Sequence, residues 1–264
     1  WKEQETTIIS LPTVSTNTVS SITASQAYFS GYVVSGGNGD IGERGFCYGT
    51  NQNPTIQNNI VSCGNGLGSY NAIIPGLTAN TNYNVRAYAT NNAGTAYGNQ
   101  QSFTTLHTIG DNYQGGIIAY ILQPDDQGYD ANIQHGLIAA PYDQNSGAEW
   151  GCFGVEVGGA GGGAIGSGKQ NTIDIETGCS TAGTAADICA NLELNGYNDW
   201  FLPSIYELDQ LYKNKIVIGN FSTGWYWSSS DYSANDAHGL LFDTGYTTNL
   251  PKSRLSYVRA VRTF

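Results

Sequence analysis

The fourteen residues from Asn195 to Leu208, N-G-Y-N-D-W-F-L-P-S-I-Y-E-L, constrain this chain more than any other stretch. Asn195-Gly196 is a turn pair, since both residue types tolerate a left-handed backbone. Trp200, Phe201 and Leu202 form a short apolar run of the kind that is taken inside. After Pro203, Ser204 and Glu207 stand three apart, the spacing of a capping box. The pattern predicts a helix from about Ile205 to Lys213, with Leu208 and Leu211 on one face. A turn, buried aromatics and a capped helix start thus follow one another with no slack between them.

The first part of the chain reads differently. Residues 1–10 look like the end of a leader or linker. From residue 11 to about 105, short alternating segments are separated by turn signals: Val19–Ile22, Ala27–Val34, Gly45–Tyr48, Ser69–Ile74, Tyr83–Thr90 and Gln101–Thr105. Seven or so strands at this spacing predict a β-sandwich. The segment Leu77-Thr78-Ala79-Asn80-Thr81-Asn82-Tyr83 is similar to the L-x-x-x-T-x-Y of fibronectin type III domains, whose Tyr makes a corner hydrogen bond. Val85 to Asn99 resembles the last strands of such modules in Bacteroidetes surface proteins. The resemblance covers residues 11–106 and implies an all-β Ig/fibronectin-III-like spacer, with Arg86 stacked along the sheet.

The second domain, residues 107–264, opens with the apolar strand G-G-I-I-A-Y (Gly115–Tyr120) and its partner H-G-L-I-A (His135–Ala139). Gly158–Gly168 is too rich in glycine for regular structure at reasonable entropic cost and reads as a loop held by contacts elsewhere. A helix is expected at Thr184–Leu192, and strands at Gly224–Ser230, Ala237–Phe242, Gly245–Asn249 and Tyr257–Arg262. The motifs L-P-S-I-Y-E-L (Leu202–Leu208), Y-W-S-S-S (Tyr226–Ser230) and V-R-A-V-R (Val258–Arg262) occur here in the order found in the DUF1566 family, also called the Lcl C-terminal domain, which this half resembles. That resemblance implies an α+β fold of the C-type-lectin-like kind.

Charge separates the two halves. The net charge is −11, and seven basic and 17 acidic residues lie after residue 105. Such a surface repels phosphate backbones and argues against a nucleic-acid partner. No run of 18 apolar residues is present, so no membrane insertion is expected from this segment. The absence of Met and of an apolar leader predicts a mature or excised piece of a longer secreted or bacterial cell-surface protein. Five cysteines, Cys47, Cys63, Cys152, Cys179 and Cys189, leave at least one without an intrachain partner. Cys179 and Cys189 can close a small loop, and Cys152 can equally pair with either.

Gly163–Lys169 fits G-x-x-x-x-G-K, but Gln170 stands where a P-loop needs a hydroxyl, and only glycine precedes it. It reads as a structural loop. The three His are far apart and lack metal-ligand spacing, and no G-x-S-x-G elbow supports a hydrolase. Asn198-Asp199-Trp200 resembles the W-N-D element of calcium-dependent lectins in the wrong order, and the E-P-N partner is missing. Calcium remains a candidate cofactor, on oxygens of Asp199, Asp231 or Asp243. Arg259 and Arg262 are expected to pair with buried carboxylates, and Lys252 and Arg254 to be able to meet an acidic glycan. Trp227 is expected in the core.

In lectin-like folds the ligand surface lies on the late loops and strands. By that resemblance the ligand residues are Trp225, Tyr232, Asn235, Asp236, His238, Asp243, Tyr246 and Asn249. The expected function is a non-enzymatic adhesin or ligand-binding module that recognises a glycan or a surface protein. The alternative is a structural subunit or cap of a bacterial surface filament, packed on neighbouring copies. An enzyme resembling formylglycine-generating enzymes would need a reactive Cys pair, which the Cys positions do not show.

Overall fold

The computed structural model describes residues 8–264, which divide into two compact units, 8–108 and 109–264. The expected leader or linker at residues 1–7 lies outside the described residues. Residues 8–10 do not behave as a linker. The Ser10 amide donates to Gly37 O at 2.8 Å and Asn91 Nδ2 donates to Ser10 O at 2.6 Å, tying this segment to the first unit.

The first unit is a sandwich of two sheets. One contains β1 (Thr13–Thr16), β2 (Gln26–Ser35) and β5 (Gly68–Pro75) in the order β1-β2-β5. The other contains β3 (Glu43–Gly49), β4 (Asn59–Ser62), β6 (Asn82–Asn91), β7 (Gly94–Tyr97) and β8 (Gln101–Thr104), with β4-β3-β6 in sequence and both β7 and β8 on β6. Alternation drives the packing: Ala27, Phe29 and Val33 of β2 point inward onto Phe46, Val85 and Phe103. At Gly31 a Cβ would lie 3.0 Å from the Ala87 Cβ and 3.1 Å from the Tyr70 ring, so a larger residue there would have to push the facing side chains back by a few tenths of an ångström. The Tyr83 hydroxyl accepts the Thr78 amide at 3.1 Å, the expected corner bond. Arg86 lies 4.8 Å over the Tyr97 ring and donates to Gly98 O. The expected strand at Val19–Ile22 is reduced to one bridge, Ser20 to Tyr28. Strands β1, β4 and β7, each four residues long, carry too short a pattern to be read without their partners.

The second unit is β-rich with four short helices. One sheet has the order β17-β11-β10-β9, built from β9 (Asn112–Tyr113), β10 (Gly116–Ile121), β11 (Gly136–Ala139) and β17 (Val261–Thr263), so the end of the unit closes onto its opening hairpin. The other has the order β12-β16-β13-β14-β15, from β12 (Asn145–Ala148), β13 (Trp225–Asp231), β14 (Asp236–Leu241), β15 (Tyr246–Pro251) and β16 (Ser256–Val258). Helices α1 (Gly168–Gly178), α2 (Ala185–Ala190), α3 (Ile205–Lys213) and α4 (Lys215–Ile218) separate the early strands from the late ones. Two cores result. One holds Trp150, Trp200 and Trp227; the other holds Phe201, Leu208, Leu211, Tyr226 and Phe242.

Helix α3 begins where its capping box predicts, with Ser204 and Glu207 bonded reciprocally, and ends at the expected Lys213. Glu207 does more than cap. Its fully buried carboxylate accepts the Ser204 amide at 2.7 Å and the Gly166 amide at 2.8 Å. Ser204 Oγ donates to Ala164 O at 2.8 Å and the Tyr206 amide to Gly163 O at 3.1 Å. The glycine-rich G-x-x-x-x-G-K loop therefore wraps the chain's own carboxylate, in the way such loops wrap a phosphate. Gly168 is obligatory: a Cβ would sit 2.1 Å from Glu207 Oε2. The expected loop runs to Ser167, and helix α1, which starts at this glycine, is an element the sequence pattern did not announce. Its apolar pattern is weak and it has no side-chain cap, so packing on β13 and α2 carries it.

Cys152 pairs with Cys179, 27 residues apart, which settles the alternatives; Cys189 is free and buried. The bond tethers the irregular 152–167 segment to the end of α1. Closing a loop of this length contributes about 3–4 kcal/mol. Reduction, or Cys152→Ser, is expected to lower the unfolding midpoint accordingly, measured by chemical denaturation with and without reductant. An unchanged midpoint would show that the Glu207 anchor holds the segment alone.

Candidate functional site

The β13–β14–β15 ladder decides where the expected ligand residues go. Leu241 pairs with both Trp225 and Tyr246, while His238 pairs with Asn249. Successive residues on a strand face opposite sides. Trp225 and Tyr246 therefore share one face of the sheet, and Asp236, His238 and Asn249 share the other. Ring contacts agree: Trp225 and Tyr246 lie 6.2 Å apart, and Tyr232 and His238 lie 5.4 Å apart. Asp243 is exposed in the turn between β14 and β15, and Asn235 is exposed in the loop between β13 and β14. The expected single surface is thus corrected: seven of the eight residues fall into two clusters, and Asp243 stands apart in its turn. Tyr232, Asp236, His238 and Asn249 form one, beside Asn235. Trp225 and Tyr246 form the other, with the Arg254 guanidinium 5.8 Å from the Trp225 ring. The physical reason is the register, which a sequence pattern cannot supply.

The Tyr232 cluster is held from beneath. The Tyr232 and Ser233 amides both donate to Asp236 O, at 3.2 and 3.0 Å, closing the turn. The Lys252 amide donates to Asn235 O and the Gly154 amide to Ala234 O, each at 2.8 Å. Below lies a fully buried ion pair. The Lys252 ammonium meets Asp231 Oδ1 at 2.9 Å and Oδ2 at 3.1 Å, donates to Val155 O at 2.7 Å, and sits 4.4 Å over the Trp150 ring. Asp231 also accepts the Val157 amide at 2.8 Å. Tyr232 itself is 58 % exposed. Burial holds the His238 imidazole below its usual value, opposed by the charge of Asp231, so it is neutral at physiological pH.

The three aspartates considered for calcium do not converge. Asp199 is bound at two points by Arg262, at 2.7 and 3.0 Å, and that guanidinium holds its carboxyl below the usual range. Asp231 is neutralised by Lys252, and Asp243 stands in an exposed turn. Among the described residues no three His, Cys, Asp or Glu side chains group as a metal site. Of the three, Asp199 and Asp231 are occupied by the chain's own cations. Lys252 is likewise corrected: it is sealed inside and cannot meet a glycan, while Arg254 stays exposed. Arg259 and Arg262 each pair with a carboxylate, Arg259 with Asp143 at 2.8 Å, but the burial is reversed from expectation: the arginines are buried and Asp143 and Asp199 stay partly exposed.

Sequence reasoning missed one pocket altogether. A groove of ≈ 330 Å³ lies between α1 and the segment Asp199–Phe201, lined on the helix side by Lys169, Thr172, Ile173 and Glu176. The apolar pattern of α1 is too weak to mark the helix, and it follows a glycine run that reads as loop.

No curated protein matches the chain. Solved structures similar to it include the sensor domain of the anti-sigma factor RsgI4 of Pseudobacteroides cellulosolvens, at 23% identity over 38% of this chain and 100% of that one, with a TM-score of 0.30. The FN1–FN3 domains of chicken CNTN1 match at 20% identity over 38% of this chain and 33% of that one, TM-score 0.29. An FN3 domain of human collagen XX matches at 19% identity over 36% and 90%, TM-score 0.27. Residues 142–262, which hold both Glu207 and the Asp231–Lys252 pair, match the family model of the Lcl C-terminal domain.

Proposed function

We propose that this chain is an extracellular, cell-surface binding module, in which the sandwich is a spacer and the second unit is a C-type-lectin-like head. The observation that carries this reading is the Tyr232–His238 pair. An exposed aromatic ring, a neutral imidazole, Asp236 and Asn249 share one face, and the loop bearing them is pinned by backbone bonds to two other segments. A pre-set surface of this kind avoids an ordering cost on binding. Aromatic planes stack on sugar C–H faces or on protein apolar groups, so a glycan or a surface protein is the expected ligand. No catalytic role is proposed. Burial pushes the Cys47 thiol up to about 11 and raises Cys63 and Cys189 as well, which is the reverse of an activated nucleophile.

The test is ligand capture on a glycan array together with a cell-adhesion assay. Tyr232→Ala and Asp236→Ala are expected to lower capture about tenfold or more, the loss of roughly 1.4 kcal/mol. Trp225→Ala, on the other face, is expected to leave it unchanged. Loss in Trp225→Ala with retention in the other two would reject the site. The second reading, a filament subunit, is favoured by β15. It is the outer strand of its sheet and carries no charge over Tyr246–Pro251, so nothing repels an added strand. A strict monomer in size-exclusion chromatography at micromolar concentration counts against that reading.

A further inference from the structure

We propose that the groove between α1 and Asp199–Phe201 binds a small alkylammonium ligand, its aliphatic stem against Ile173 and its ammonium on Glu176. This site is separate from the Tyr232 surface and does not depend on it.

The volume, ≈ 330 Å³, is at the small end of the range for small-molecule sites. On α1 the lining residues Lys169, Thr172, Ile173 and Glu176 share one face, and the helical rise sets Lys169 and Glu176 roughly 10 Å apart at opposite ends of the groove. Between them the wall is apolar in effect. Ile173 is half exposed, and Trp200 and Phe201 form the opposing side. The two threonine hydroxyls are already spent on the helix: Thr172 Oγ1 donates to Gly168 O and Thr177 Oγ1 to Ile173 O, each at 2.8 Å. A polyhydroxylated body finds few partners along this wall, whereas a hydrocarbon stem fits it.

Charge selects the head group. At the Lys169 end, Asp199 is already neutralised by Arg262. At the other end Glu176 lies within hydrogen-bonding reach of Asp187. Asp187 is fixed by the Gly183 amide at 2.7 Å and by Asn191 Nδ2 at 2.9 Å. Among the described residues no Lys or Arg forms an ion pair with either carboxyl. The groups around Glu176 are Asp187 and the neutral Cys189 thiol from α2, Lys169 two turns away on its own helix, and Asp199 across the groove. Burial first and Asp187 second raise the Glu176 pKa, and no cation of the chain offsets them. An ammonium supplies that charge and three donors. When Glu176 is protonated, binding releases its proton to solvent, so affinity rises with pH through the Glu176 titration.

The full chain is titrated by calorimetry with n-pentylamine, n-pentanol, N-acetyl-lysine methylamide and calcium chloride. Pentylamine is expected to bind about tenfold or more tightly than pentanol, from one charge-assisted contact. Glu176→Gln removes that preference, and Lys169→Glu, a surface change, strengthens amine binding. Equal affinity for amine and alcohol overturns the proposal, as does no amine binding, an unaltered Glu176→Gln, or calcium that displaces the amine. Tighter binding of the lysyl compound than of pentylamine assigns the ammonium to a peptide side chain rather than a free amine.

Discussion

Glu207→Ala is expected to destabilise the second unit by about 3–5 kcal/mol, since it removes two charge-assisted acceptors and leaves buried amides without partners. The amides are those of Ser204 and Gly166, and the second lies 41 residues away in sequence. The variant therefore loses both the α3 cap and the anchor of the glycine-rich loop. Chemical denaturation measures the first loss, and amide hydrogen exchange over residues 158–168 measures the second. Glu207→Gln keeps one carbonyl acceptor and is expected to lose less than half as much. A loop still protected in Glu207→Ala would show that the disulfide alone holds it.

The same carboxyl has a pH signature. Burial raises Glu207 above the ordinary 4.5, against the bonds from Ser204 and Gly166. A group whose folded pKa is raised holds its proton more tightly in the fold. Its contribution to stability is whole below the unfolded value and is lost as pH rises through the folded value. Glu207→Gln is expected to lack that decline on the alkaline side of pH 4.5.

Breaking the Asp231–Lys252 pair is the second large effect. Both side chains are sealed, 0% and 3% exposed, so Asp231→Ala leaves an ammonium with only Val155 O and the Trp150 ring for company. Stranding a buried charge in this way costs about 3–5 kcal/mol. Lys252→Met fills the same space without charge but strands Asp231. The double variant Asp231→Ala/Lys252→Met is expected to recover part of either single loss, because a pair of charges is removed together. A double-mutant cycle by chemical denaturation reads the coupling, and strict additivity would show that the two do not act as a unit. Because the pair underlies the 152–157 and 232–235 segments, ligand capture should fall in both single variants as well.

Short-range physics was legible in the sequence. The capping box, the turn at Asn195-Gly196 with φ of 53° and 84°, and the α3 boundaries all follow from residues within four positions of one another. The Tyr83 corner spans five positions, Thr78 to Tyr83. The burial of Trp227 followed instead from the resemblance, since it stands inside the Y-W-S-S-S motif.

What the residues could not disclose was which distant group each of them would meet. Alternation says that Trp225 and His238 belong to strands. It does not say on which face, because that depends on how β13, β14 and β15 pair. Nor does any local pattern mark Lys252 as the counter-ion of Asp231, Cys152 as the partner of Cys179, or Gly166 as the ligand of Glu207. By itself the sequence determined the Asn195-Gly196 turn, the α3 cap and the longer strands, since those depend on neighbours along the chain. Only the tertiary structure decided the faces, the pairs and the pockets, since burial and charge are settled by groups that folding brings together.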